Sequence, residues 1–69
     1  MIEIFKTKTN KELCELYKDY QNWMHEGYIE TGCKLDPIRN EYVKTFSYSA
    51  LQIMELDFLR EIAKRHFKE

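Results

Sequence analysis

Four side chains in this sequence belong to the types that bind zinc, two of them thiols and two imidazoles. They are Cys14, His25, Cys33 and His66. Thiolate and imidazole groups are preferred zinc ligands, but the spacing of these four matches no closed zinc motif. A cysteine at the edge of an apolar helix face often packs as a small hydrophobe. We therefore expect two reduced thiols, no bound metal and no cofactor.

The carboxylates of the last third of the chain are the next candidates for chemistry. Asp57 and Glu61 lie one helical turn apart with Glu55 nearby, and paired carboxylates perform acid–base catalysis when one pKa is raised. Basic side chains of the same segment surround them, which is typical of a solvated charged face. The sequence also contains neither a glycine-rich phosphate loop nor a nucleophile elbow. We predict no catalytic residues and no enzymatic activity.

Basic side chains near the end of the chain form a possible phosphate-binding set. Its members are Arg60, Lys64, Arg65 and Lys68. Acidic residues interrupt the set, and the whole chain carries eleven basic and twelve acidic residues, a formal net charge of −1. Non-specific nucleic-acid binders are usually basic. A helical domain that binds nucleic acid through these side chains is therefore our alternative prediction, not our first.

The aromatic content is the strongest indication of function in the sequence, with five Tyr, four Phe and one Trp in 69 residues. Tyr, Trp and Met are enriched in protein interfaces. The predicted partner-binding residues are Tyr17, Tyr20, Trp23, Met24, Tyr28, Tyr42 and Tyr48. In the competing interpretation, the central positions Leu16, Tyr20 and Trp23 pack in the core against the last helix.

The surest element that positions these residues is a helix over residues 10–28. Its apolar residues, from Leu13 to Met24, recur at spacings of three and four. Thr9 and Glu12 fit a capping box at its start. Gly27 either lies inside this helix or closes it, and Gly32 is a second stop signal.

A second helix is predicted from about Ser49 to Phe67, with a break before it. Apolar residues up to Phe46 and those from Leu51 onward would lie on nearly opposite sides of one straight helix. Ser49 with Gln52 matches a capping box for the new helix. Before the break, Asp36 and Pro37 fit either a helix start or a turn, so we expect residues 33–48 to be irregular or partly helical.

These elements predict a single domain, residues 1–69, of the mostly-α class. It consists of an antiparallel hairpin of two helices with an irregular middle segment, and residues 1–7 form a short strand or arm that packs across it. The alternative is an α+β fold with a small sheet, in which residues 1–7 pair with residues 42–47, a region rich in β-branched and aromatic side chains.

Small size, surplus aromatic residues and near-neutral charge favour a non-enzymatic protein-binding module. Domains this short commonly rely on a disulfide, a metal or a partner subunit for stability. We expect a protein partner or a second copy of the chain, as for the small regulators and inhibitors that phages and mobile elements direct at host proteins. No apolar run approaches the roughly 20 residues of a membrane-spanning helix, and no secretory signal is evident. We therefore expect a cytoplasmic location and no membrane attachment.

Overall fold

The computed structural model describes residues 3–67, and every regular element in that range is helical. Helix α1 spans Asn10–Glu26, α2 spans Leu35–Phe46 and α3 spans Ala50–His66. Short 3-10 helices at Phe5–Thr7 and Ser47–Ser49 lie before α1 and before α3. The mostly-α prediction is confirmed.

The sequence predicts a short strand or arm over residues 1–7, and the strand is wrong for the residues that the structure describes. Ile4 lies in a turn, Phe5–Thr7 form the first 3-10 helix, and residues 42–46 belong to α2. The alternative α+β sheet therefore does not form between these two segments. Residues 1 and 2 of the predicted strand lie outside the described range.

Both ends of α1 follow the local signals in the sequence. The Thr9 hydroxyl accepts from the Glu12 amide at 3.1 Å, and the Glu12 carboxylate accepts from the Thr9 amide at 2.8 Å, so the capping box forms. At the other end Gly27 has φ +87° and donates its amide proton to the Trp23 carbonyl. Left-handed backbone of this kind favours glycine because it has no Cβ.

Helix α2 is more regular than the segment predicted from the sequence. The Asp36 carboxylate lies inside its first turn and accepts from the Gly32 amide at 3.0 Å, rather than capping the helix. Pro37 also falls in the first turn, where its missing amide proton costs little. The buried side chains of α2 are Leu35, Ile38 and Tyr42, at spacings of three and four.

The predicted break between Phe46 and Leu51 is confirmed. Ser47 ends α2 with φ +52° and ψ −112°, a conformation that residues with a Cβ rarely adopt. The predicted capping box at Ser49 does not form, because Ser49 has φ −93° and ψ 6° and its side chain makes no capping hydrogen bond. An N-cap residue normally has extended backbone.

The core gathers residues from all three helices around α3. Ala50, Met54 and Phe58 recur every four residues on one side of α3, and each is about 1% exposed. The Phe58 ring lies 5.2 Å from the Phe5 ring and 5.5 Å from the Tyr20 ring, between centroids. The other buried residues are Phe5, Leu13, Leu16, Trp23, Ile29, Leu35, Ile38 and Tyr42.

Arg65 connects both ends of the described chain to α1. Its guanidinium donates to the Glu61 carboxylate at 2.8 Å, to the Asn10 side-chain oxygen at 2.9 Å, and to the carbonyls of Phe5 and Lys6. Farther along, the Tyr20 hydroxyl of α1 donates to the Glu55 carboxylate of α3. These two contacts show that α1 and α3 run antiparallel, as predicted.

Candidate docking surface

The predicted partner-binding residues divide into an exposed and a buried group. The exposed ones are Tyr17, Met24, Tyr28 and Tyr48. Trp23 and Tyr42 are buried, and Tyr20 is half-buried with its ring packed against the core. Only the exposed group, with the hydroxyl edge of Tyr20, is accessible to a partner in this conformation.

Tyr42 is a core residue, so the structure removes it from the predicted docking set. It is 0% exposed, and its ring lies between those of Phe5 and Phe46, at centroid distances of 6.0 Å and 5.8 Å. Its hydroxyl donates to the Asp57 carboxylate at 2.8 Å. Burial, reinforced by this hydrogen bond to a carboxylate, raises the pKa of Tyr42. The sequence leaves residues 33–48 irregular or partly helical, so it does not predict that α3 and Phe5 cover the Tyr42 ring.

The competing core interpretation is confirmed for Leu16 and Trp23, which are both buried. Tyr20 lies at the boundary between core and surface. Its ring meets the Trp23 ring edge-on at 5.8 Å, while its hydroxyl donates to the Glu55 carboxylate at 2.7 Å. That hydrogen bond, with a smaller contribution from burial, raises the pKa of Tyr20 to about 12.

Exposed or half-buried apolar side chains of α1 and α3 lie beside the contacts between these two helices. We call this set the α1–α3 face, and it comprises Cys14, Tyr17, Met24, Leu51, Leu59 and Ile62. Cys14, Tyr17 and Ile62 line one groove, and helical spacing places Met24 two turns along α1 from Tyr17. The Tyr17 ring stacks 6.4 Å from the Phe58 ring of α3, which joins the two helices at the middle of the face. Leu51 and Leu59 lie one turn on either side of Glu55, the residue that binds the Tyr20 hydroxyl. Tyr17, Met24, Leu51 and Leu59 are each between 38% and 47% exposed.

An open groove of about 440 Å³ occupies one end of this face. Its apolar lining comes from Leu13, Cys14 and Tyr17 of α1 and from Ile62 of α3, with polar groups from Asn10, Arg65 and His66 at its edge. An apolar centre with a polar rim is the usual arrangement of a protein interface.

Two further exposed tyrosines, Tyr28 and Tyr48, lie beyond the end of the face that is opposite the groove. Tyr28 follows the end of α1 and Tyr48 lies in the 3-10 turn before α3. Since α1 and α3 are antiparallel, both tyrosines lie toward the same pole of the molecule as Met24 and Leu51. Both are well exposed, Tyr48 completely.

The sequence does not predict Leu51 and Leu59 as surface residues, because both belong to the apolar residues from Leu51 onward that share one side of the last helix. The structure centres the buried side of α3 on Ala50, Met54 and Phe58 instead. Leu51 and Leu59 each follow a core residue by one position, which turns them about 100° away from the core. Their spacing of eight residues on one flank was a signal in the sequence, but it does not distinguish a covered flank from an open one.

The four candidate zinc ligands do not assemble. Within residues 3–67, no group of three or more Cys, His, Asp or Glu side chains is placed to share a metal ion. Cys14 is exposed on α1, whereas Cys33 is half-buried against the core, and both are free thiols. Over the same range, no helix combines the length and apolar character needed to cross a bilayer.

The predicted phosphate-binding set is divided by the fold. Arg65 is held by Glu61, by Asn10 and by two backbone carbonyls, so its hydrogen-bonding groups serve the structure. Arg60 and Lys64 are exposed on a different side of α3 from Leu59. Lys68 lies outside the described residues.

Comparison with protein-family models, with curated proteins and with solved structures gives no match for this chain.

Proposed function

We propose that the protein is a non-enzymatic binding module that docks an amphipathic helix of a partner protein along the α1–α3 face. The observation that supports this proposal is the exposure of Tyr17, Met24, Leu51 and Leu59 on two adjacent helices. Contiguous exposed apolar surface on a small domain commonly marks an interaction site.

The shape of the face favours a helix as the occupant. Two antiparallel helices form the walls of a groove, and a third helix placed along them buries one apolar stripe between both. Anchors on such a stripe recur every three or four residues. The groove beside Cys14 and Ile62 offers space for one of these anchors.

The chemistry of the face suits protein recognition. Tyrosine combines a large apolar ring with a hydroxyl that bonds at the edge of an interface, and methionine adapts its shape to an irregular partner. Glu55 and His66 provide polar groups beside the apolar strip. A module of this kind acts by occupying its partner's surface, which is the mode of action of a small regulator or inhibitor.

A matched set of single substitutions tests this proposal. Met24→Gln and Leu51→Gln change the face, whereas Val43→Gln changes a side chain on α2 outside it. Met24 and Val43 are almost equally exposed, at 47% and 46%. Each tagged variant is used to recover proteins from nuclease-treated lysate, with folding checked by circular dichroism. We expect the two face variants to lose a stoichiometric partner that wild type and Val43→Gln retain.

Equal recovery by all four proteins would contradict the proposal, as would a loss that appears only in unfolded variants. Sedimentation of the purified protein identifies the other occupant considered from the sequence. A wild-type dimer that Met24→Gln and Leu51→Gln dissociate would assign the face to a second copy of the chain.

A further inference from the structure

A second groove, of about 520 Å³, lies between the first 3-10 helix, α2 and α3. We call it the α2–α3 groove. Its apolar floor consists of Phe5, Tyr42, Phe46 and Ile53. The Tyr42 ring adjoins those of Phe5 and Phe46. Phe5 and Tyr42 are only 2% and 0% exposed, so Phe46 and Ile53 provide the apolar surface that a ligand can contact. A volume in this range is typical of a small-molecule site.

Charged side chains surround that floor. Three are carboxylates and three are cations, namely Glu3, Lys6, Asp57, Arg60, Glu61 and Lys64. Each carboxylate already has a partner within the fold. Glu3 pairs with Lys6 at 2.8 Å, Glu61 pairs with Arg65 at 2.8 Å, and Asp57 accepts from the Tyr42 hydroxyl at 2.8 Å.

The cations of α3 are differently placed. Arg60 and Lys64 are four residues apart, so they lie on the same side of α3, and both are exposed. Neither joins an ion pair with the described part of the chain. The six charges that line the groove balance, but Arg65, which lies outside the lining, pairs with Glu61. With the Glu3–Lys6 and Glu61–Arg65 pairs set aside, Arg60 and Lys64 remain beside one carboxylate, Asp57. The α2–α3 groove therefore combines an apolar floor with a net excess of one positive charge.

We propose that the α2–α3 groove binds a small amphiphilic carboxylate. The apolar body of the ligand lies on Phe46 and Ile53, and its carboxylate is bound between Arg60 and Lys64. A guanidinium binds a carboxylate through two parallel hydrogen bonds, and the lysine adds a second charge. The ligand class comprises monocarboxylic acids with an aliphatic or aromatic body.

The arrangement is less suited to nucleic acid. Binding of a phosphate backbone uses cations spaced along an open surface, and bases stack on exposed rings. Here the two cations flank a single groove, and Phe5 and Tyr42 are almost entirely buried within its floor.

Titration with decanoate, followed by amide NMR shifts below its micellar concentration, tests the proposal. We expect saturable shifts at Phe46, Ile53 and Arg60, and weaker binding of the uncharged analogue 1-decanol. The double variant R60Q/K64Q should bind decanoate roughly tenfold more weakly, because it lacks both charged contacts. The control K11Q/K18Q removes the same charge from exposed positions on α1 and should bind within about twofold of wild type.

Several results would overturn the proposal. They include the absence of saturable shifts, equal affinity for decanol and decanoate, and equal effects of the two double variants. Shifts confined to Cys14, Tyr17 and Ile62 would place the ligand on the α1–α3 face instead. Inorganic phosphate that competes as strongly as decanoate would show a simple anion patch to which the apolar floor contributes nothing.

Discussion

Two tyrosines donate to carboxylates of α3, one from each neighbouring helix, and they differ in their surroundings. Tyr42 of α2 binds Asp57 at 2.8 Å and is 0% exposed. Tyr20 of α1 binds Glu55 at 2.7 Å at the edge of an open face, beside Tyr17, which is 42% exposed. The two hydrogen bonds have almost the same length, so the contacts differ mainly in how completely water is excluded from them. Tyr42 is part of the core, whereas Tyr20 lies at the edge of exposed apolar side chains of the α1–α3 face.

Truncation of one tyrosine on each side of α3 should give the largest difference in stability. Tyr42→Ala leaves a cavity and an unpaired Asp57, and we expect it to lower the free energy of unfolding by about 3–5 kcal/mol. Tyr17→Ala should cost less than about 1 kcal/mol, because its ring already contacts water. Urea denaturation followed by circular dichroism measures both values.

Tyr48→Ala serves as the control, because Tyr48 is fully exposed. We expect its free energy of unfolding to stay within about 0.5 kcal/mol of wild type. A cost for Tyr17→Ala equal to that of Tyr42→Ala would mean that the α1–α3 face is a structural contact, and the distinction between the two sides would fail.

The stability of the fold should also depend on alkaline pH through these two tyrosines. A tyrosine in an unfolded chain ionises near pH 10, whereas the fold raises the pKa of Tyr20 to about 12 and also raises that of Tyr42. Because the pKa of each tyrosine is higher in the folded chain than in the unfolded chain, its contribution to the free energy of unfolding is complete below about pH 10. That contribution is lost as the pH rises toward the pKa of the folded state. We expect the urea midpoint to fall over this interval.

Tyr42→Phe and Tyr20→Phe, measured at neutral and alkaline pH, separate the two contributions. Tyr42→Phe should remove more of the pH dependence, because solvent screens the half-buried Tyr20 contact. The opposite order would place the stronger tyrosine–carboxylate interaction on the α1–α3 side.

The smallest expected effects compare the connections that lead into α2 and out of it. The chain leaves α1 through Gly27 at φ +87°, but it leaves α2 through Ser47 at φ +52°, where a Cβ is present. Gly27→Ser should lower the free energy of unfolding by about 1 kcal/mol, since it places a Cβ in left-handed backbone. Ser47→Gly should raise it by up to about 1 kcal/mol, less the entropy that glycine loses on folding. A destabilising Ser47→Gly would show that the strain at Ser47 is smaller than the entropy that glycine loses on folding.

Local signals in the sequence predicted those parts of the fold that depend on near neighbours. Thr9 and Glu12 are three residues apart and form their capping box, and the shift of the apolar stripe correctly placed the break after Phe46. The Ser49–Gln52 pattern is chemically equivalent, but the 3-10 turn before α3 gives Ser49 the wrong backbone for an N-cap. Helical periodicity therefore predicted the break but not its geometry.

The candidate site could be predicted only in part, because long-range packing decides which side of a stripe stays open. Tyr17 and Tyr20 belong to one apolar stripe, yet about 60° of rotation around α1 makes one exposed and the other half-buried. Tyr42 is buried by Asp57, fifteen residues away on another helix, and by Phe5 near the start of the described chain. Helical periodicity places such a residue on the apolar side of its helix, but it does not identify the element that covers that side.

Only the 3-10 turn Ser47–Ser49 separates α2 from α3. If its backbone became α-helical, residues 35–66 would form one rod of about 48 Å, longer than the 33 Å longest dimension of the folded chain. The Tyr42–Asp57 contact could then form only between two chains, which is the arrangement of a domain-swapped dimer. Strain in a short hinge promotes such exchange. Ser47→Gly relieves that strain without altering the α1–α3 face, so it distinguishes a dimer formed by exchange from one formed by docking.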